Sequence, residues 1–133
     1  MNQILQFLDE TKVFYFATIE GDKPRVRPFG FVMEYNNRLY FGTGDNKSCY
    51  KQLKANPCFE ICAYNGDSGT WMRMSGVVEF DENYETTEYV FKHSHFLRER
   101  YGDPSGPQFA PFYVRSGQAV FEKQDGNTWS VHI

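Results

Sequence analysis

From Val13 to Ile19 the chain is apolar at nearly every position, with Val13, Tyr15, Ala17 and Ile19 interleaved with Phe14, Phe16 and Thr18. A strand exposed on one side would alternate apolar with polar residues, so this pattern predicts a strand covered on both faces. Before it, Ile4, Leu5 and Leu8 recur at helical spacing within Asn2 to Asp9, which predicts a short amphipathic helix lying on the core. After it, Glu20 to Lys23 reads as a turn, Arg25 to Tyr35 as a second extended segment, Asn36-Asn37 as another turn, and Arg38 to Thr43 as a third strand. These three segments predict an antiparallel meander. Gly44 and Asp45 then break the pattern, Asn46 is placed to cap a helix carrying Cys49 and Leu53, and Asn56-Pro57 ends it. Cys58 to Tyr64 and Thr70 to Phe80 read as strands, Asp81 to about Lys92 and His95 to Tyr101 as helices. Gly102 to Pro107 is too rich in breakers for regular structure, and Phe112 to Lys123 with Thr128 to Ile133 forms a closing hairpin across Asp125-Gly126.

The predicted class is therefore mainly β with peripheral helices, in one domain spanning 1–133. A small barrel fills its interior with one strand face, and the other face needs helices or a second subunit, so a homodimer is expected. Thirteen Phe, nine Tyr and two Trp fit such packing around bulky side chains. The formal charge of −3 supplies no basic field for nucleic acid or an anionic membrane surface. No apolar run approaches the roughly 20 residues of a membrane span, and the opening residues lack a signal-peptide layout. Three cysteines, an odd number, fit a reducing cytoplasm better than a disulfide scaffold.

Candidate chemistry lies in two clusters of cations. On the helix after Asn46, Lys47, Lys51 and Lys54 share one side, opposite Cys49 and Leu53. Lys47 falls in the first turn, where the helix dipole disfavours a cation by about 0.3–1 kcal/mol. A bound anion reverses that sign, and a phosphate could be met there by backbone N–H groups, Asn46, Ser48 and the lysines. On the second extended segment Arg25 and Arg27 project from one face about 7 Å apart. Pro28 beside them cannot donate to a sheet ladder and marks an edge. Brought near Thr43 and the helix start, these groups suit a phosphate attached to a planar ring. The alternative for both clusters is a solvated surface with ordinary ion pairs.

Cys58 and Cys62 lie about 13 Å apart along a strand, too far to share a zinc ion. His93 and His95 point to different sides of a helix. No metal site is expected, and no Ser/His/Asp or Cys/His set stands out.

Several segments together resemble the pyridoxamine 5'-phosphate oxidase-related family of FMN-binding split barrels. They are Phe16-Ala17-Thr18, Gly21 to Phe29, Leu39 to Thr43, Asn46-Lys47-Ser48, Lys51 to Pro57 and Trp71 to Gly76. The resemblance implies a six-stranded antiparallel split β-barrel, dimeric, with FMN at the subunit interface. By that likeness Arg25 or Arg27 and a lysine of the helix, Lys47 or Lys51, hold the phosphate. Val26, Pro28 and Thr43 surround the ring, Gln52 sits nearby, and Trp71 or Arg73 enters from the second subunit. The chain is closer to short relatives described as general-stress or nitroimidazole-resistance proteins than to authentic oxidases of vitamin B6, whose C-terminal substrate-holding segment it does not match. The implied function is flavin-mediated redox of a small molecule. The alternatives are a non-enzymatic flavin carrier or sensor, a haem-binding split barrel using His93, His95 or His132, and a structural dimer whose cations pair with Glu60 or Glu79.

Overall fold

The computed structural model describes residues 1–133. Helix α1 (Asn2–Thr11) buries Ile4, Phe7 and Leu8 against the barrel. Strand β1 (Phe14–Glu20) turns through Gly21 and Asp22 into β2 (Lys23–Phe29), in a register that pairs Phe14 with Phe29 and Phe16 with Arg27. Next, β3 (Met33–Tyr35) and β4 (Arg38–Gly44) form a second hairpin, whose loop residues Asn36 and Asn37 both adopt positive φ, the conformation a two-residue turn of this hand requires. Helix α2 (Ser48–Ala55) leads to β5 (Cys58–Asn65) and β6 (Thr70–Phe80). Helices α3 (Tyr84–His93) and α4 (His95–Tyr101) precede β7 (Phe109–Glu122) and β8 (Thr128–His132).

The strands form one antiparallel sheet in the order β2-β1-β5-β6-β7-β4-β3, with β8 added to β7. The expected three-stranded meander is not present: β2 stays with β1, β3 stays with β4, and β4 pairs with β7 instead of β2. The extended segment from Arg25 to Tyr35 is broken at Gly30, Phe31 and Val32, which frees its two halves to join opposite ends of the sheet. Those ends are tied by a short tether, since Phe29 and Met33 can stand at most about 14 Å apart. Seven strands laid flat at about 4.8 Å spacing would separate them by roughly 29 Å. The sheet must therefore curl into a barrel that is split between β2 and β3. Eight strands are present instead of the six the resemblance implies: this break divides one of the seven predicted extended segments in two, and β7 pairs with β4 along its first half and with β8 along its second.

Phe16 is the centre of the core. It stacks on Phe29 and Phe59 at centroid distances of 4.7 and 5.3 Å and meets Phe41 and Phe112 edge-on, both at 5.6 Å. A smaller cluster of Val90, Leu97, Tyr101 and Phe109 fixes α3 and α4 to the start of β7. The predicted helix from Asp81 begins later, at Tyr84, because Asp81 is occupied as an anchor. Its carboxylate accepts hydrogen bonds from Tyr40 Oη and Thr86 Oγ1, both at 2.7 Å, and from the Asn83 N–H at 2.9 Å. Burial acts to raise the Asp81 pKa, but these donors outweigh it and hold the carboxyl below its ordinary range. Burial, reinforced by the bond to Asp81, pushes the Tyr40 phenol up to about 12.

Candidate functional site

On β2 the inward positions are Arg25, Arg27 and Phe29, and Phe29 is held in the aromatic core. Arg27 thus faces the end of the barrel, where α2 lies across β1. Its Nη1 donates to Thr18 Oγ1 at 2.7 Å and to the Phe16 carbonyl at 3.3 Å, and its Nη2 donates to Gln52 Oε1 at 2.6 Å. Thr18 in turn donates to Gln52 Oε1, and both side chains are buried. Every partner of Arg27 is neutral. The acids that form ion pairs are Glu20, Glu82 and Glu99, and each is paired with another residue. A half-buried guanidinium held by neutral acceptors keeps its full charge and a fixed direction, which suits recognition of an anion.

Arg25 is in a different situation. Its Nε lies 2.8 Å from Glu20 Oε1 across the β1–β2 turn, and this bond holds the Glu20 carboxyl below its usual range. The two arginines share a strand face, yet only Arg27 reaches the cleft beside α2. Val26 lies on the outer face and is strongly exposed, as is Tyr15 of the paired strand. Pro28 is on the free edge of β2 and lines the cleft.

The cleft has a volume of about 360 Å³ and is walled by Arg27, Pro28, Thr43, Lys47 and Ser48, with Phe29, Gly42, Cys49 and Tyr101 completing it. Asn46 does not cap α2. A turn closed by the Lys47 N–H on the Gly44 carbonyl at 3.0 Å places Asn46 inside the turn, so Lys47 becomes the N-cap, with extended backbone and no side-chain capping bond. The first N–H groups of α2 are left without side-chain acceptors next to Arg27 and Lys47. Of the lysine face, Lys47 borders the cleft and Lys54 is engaged with Glu82 at 3.3 Å. Lys51 is exposed one turn further on and is not part of the cleft wall. Gln52 contributes from behind, by positioning Arg27. Burial pushes the Cys49 thiol pKa up, partly offset by the Arg27 charge and a hydrogen bond with Thr43, so the thiol stays protonated.

Trp71 and Arg73 sit elsewhere, on the outer face of β6, with the Arg73 guanidinium 4.9 Å from the centre of the Trp71 ring. Neither lines the cleft within this chain. None of His93, His95 or His132 lines it either: His93 meets the Tyr89 carbonyl, and His95 pairs with Glu99 at 2.9 Å. The three cysteines are free.

Sequence reasoning missed the wall supplied by α4 and β7. A second hollow of about 430 Å³ shares Pro28, Phe29, Gly42, Thr43 and Tyr101 with the first and extends under α4. Glycine at 42 and 44 permits this approach. A Cβ at Gly42 would lie 2.2 Å from the Phe109 ring, and one at Gly44 would lie 2.7 Å from the Tyr101 ring. Two glycines at alternate positions of one strand were the available signal, since glycine inside a strand often marks close approach of another element.

No protein-family model matches the chain, and no curated protein sequence matches it. Solved structures do. A pyridoxamine 5'-phosphate oxidase-related, FMN-binding protein from Nostoc punctiforme superposes with a TM-score of 0.67 at 15% identity, covering 99% of this chain and 95% of that one. A haem-binding protein from Mycobacterium smegmatis gives a TM-score of 0.72 at 16% identity, over 94% of this chain and 54% of that one. The class is thus the split barrel of the pyridoxamine 5'-phosphate oxidase-related proteins. Much nearer in sequence is a NimC/NimA family protein from Clostridium acetobutylicum, at 38% identity and a TM-score of 0.93 over 100% of this chain and 92% of that chain. The chain belongs to the NimC/NimA family.

Proposed function

We infer that this protein binds FMN in the Arg27 cleft and is an FMN-dependent oxidoreductase acting on a small molecule. The observation that carries this reading is Arg27 itself, aimed by Thr18 and Gln52 and free of any carboxylate, beside an uncapped helix start and Lys47. That donor set fits a phosphate monoester. Arg27, Lys47 and the first N–H groups of α2 would hold it, Ser48 would add a hydroxyl, and Pro28 and Thr43 would border the ring. When bound, the flavin supplies hydride and electron transfer, so the chain needs no nucleophile of its own.

The outer barrel face supports a homodimer with the cofactor at the subunit interface. Tyr15, Val26 and Tyr64 on the strands, and Val13 just before β1, are each at least half exposed there and form an apolar surface that needs a cover. A partner subunit would bring its outer-face tryptophan and arginine, equivalent to Trp71 and Arg73, toward the ring. No helix is long and apolar enough to cross a membrane, and action in the cytoplasm is part of this reading.

Titration of the apo-protein with FMN, read by flavin fluorescence, tests the reading. Saturation below about 10 μM, equivalent to about −7 kcal/mol, is expected, together with a scattering mass twice that of the 15.6 kDa chain. Absence of binding at that concentration overturns the cofactor, and a monomeric mass overturns the shared interface.

A further inference from the structure

The hollow under α4 has properties the phosphate cleft does not account for. It is lined by aromatic and aliphatic side chains, with Phe31, Phe96, Leu97 and Phe109 the main ones beyond the wall shared with the cleft. Phe96 is 67% exposed at the rim, an unusual position for a large aromatic side chain on a short helix whose neighbours Leu97 and Tyr101 are buried. One cation, Arg100, belongs to this wall. Its guanidinium makes no ion pair and no hydrogen bond, and lies loosely, 5.9 Å from the centre of the adjacent Tyr101 ring. The other charged side chains of α4, Arg98 and Glu99, both engage His95 instead. The exposed, unpaired guanidinium thus stands at the solvent side of apolar, flat-sided walls, with its donors free for a ligand.

We propose that this hollow is the substrate subsite, and that it takes a planar aromatic compound carrying a carboxylate, which Arg100 recognises. The proposal rests on the FMN reading, since the shared wall at Pro28, Gly42 and Thr43 is what sets such a compound next to a flavin. Aromatic walls favour a flat ring by stacking and edge contacts. A guanidinium with its donors free favours a carboxylate, which accepts two parallel bonds from it. The volume is within the range of small-molecule sites, and a single-ring acid fits easily. Phe96 at the rim would cover the bound ring, while Arg100 would select its charge.

The test uses FMN-loaded protein and two probes of nearly equal shape, 4-nitrobenzoate and the neutral 4-nitrobenzamide, with binding read by calorimetry and by perturbation of the flavin absorbance. Wild type is expected to bind the carboxylate at least about tenfold more tightly. In Arg100→Gln that preference should collapse while FMN affinity stays unchanged. In Phe96→Ala both probes should weaken together, leaving the preference intact. Equal binding of the two probes by wild type, binding of neither up to about 10 mM, or a preference that survives Arg100→Gln overturns the proposal. If FMN binds and the preference is missing, only this proposal falls. If FMN itself does not bind, the cofactor reading falls and takes this one with it.

Discussion

Replacing Arg27 by Gln removes the one half-buried charge in the cleft while keeping a side chain able to donate to Thr18 or Gln52. In the wild type the guanidinium is held at 2.6–2.7 Å by those two residues, so little ordering remains to be done when an anion arrives. A hydrogen bond to a charged group contributes about 1.5–3 kcal/mol. Loss of the Arg27–phosphate contact should therefore weaken FMN binding by roughly 10- to 150-fold. Riboflavin, which has the same ring and no phosphate, provides the internal control and should bind wild type and Arg27→Gln alike. The same measurement on Arg25→Gln should show less than about a threefold change, because Arg25 is an exposed partner of Glu20. Raising ionic strength should weaken FMN binding to wild type more than to Arg27→Gln. Equal losses for FMN and riboflavin would mean that Arg27 supports the fold and does not hold a phosphate. A larger effect at Arg25 would show that the ligand sits outside the cleft described here.

Gln52→Leu leaves Arg27 and Thr18 each short of a partner, so urea denaturation should report a loss of about 1–3 kcal/mol, and FMN affinity should fall while riboflavin affinity is spared. Asp81 has a folded-state pKa below its unfolded value, so its stabilisation is fully present above the ordinary aspartate range and is lost as pH falls through the lower folded value. Asp81→Asn should then be less stable than wild type by about 1–3 kcal/mol at neutral pH, and the gap should narrow on acidification below about pH 4; a gap independent of pH refutes the assignment. Gly76→Ala would place a Cβ 2.1 Å from the Ser116 carbonyl oxygen, an obstacle of backbone and not of a movable side chain. It should cost at least about 2 kcal/mol by denaturant unfolding, whereas Gly126→Ala, which meets no atom within 4 Å, should show only the smaller strain of its positive φ.

Much of the local structure was legible in the chain. The step from helical to strand periodicity at Thr11, the paired asparagines at the β3–β4 turn and the Asn-Pro stop after α2 all depend on neighbours a few residues apart, and each reads correctly within a residue or two. The placement of helix starts was less legible. Asn46 has the right chemistry for a cap, but a turn closing on Gly44 moved the cap to Lys47, and Asp81 was taken by Tyr40 across the fold. The cation clusters were visible as unusual patterns, although which of their members remain unpaired was not.

What the sequence determined by itself is the class of structure and the neighbourhood of the candidate site: an aromatic β core, a lysine-bearing helix after β4, and two arginines on β2. These follow from periodicity and spacing, which act over a turn of helix or a few residues of strand. Tertiary structure alone decided that Arg27 would be held by Gln52 with no carboxylate beside it, that β4 would pair with β7, and that α4 would wall the second hollow. Those outcomes depend on contacts between residues far apart in the chain, such as Arg27 with Gln52 or Gly42 with Phe109. Their partners are chosen by how the whole sheet closes and buries its aromatic side chains, and no window along the chain contains that information.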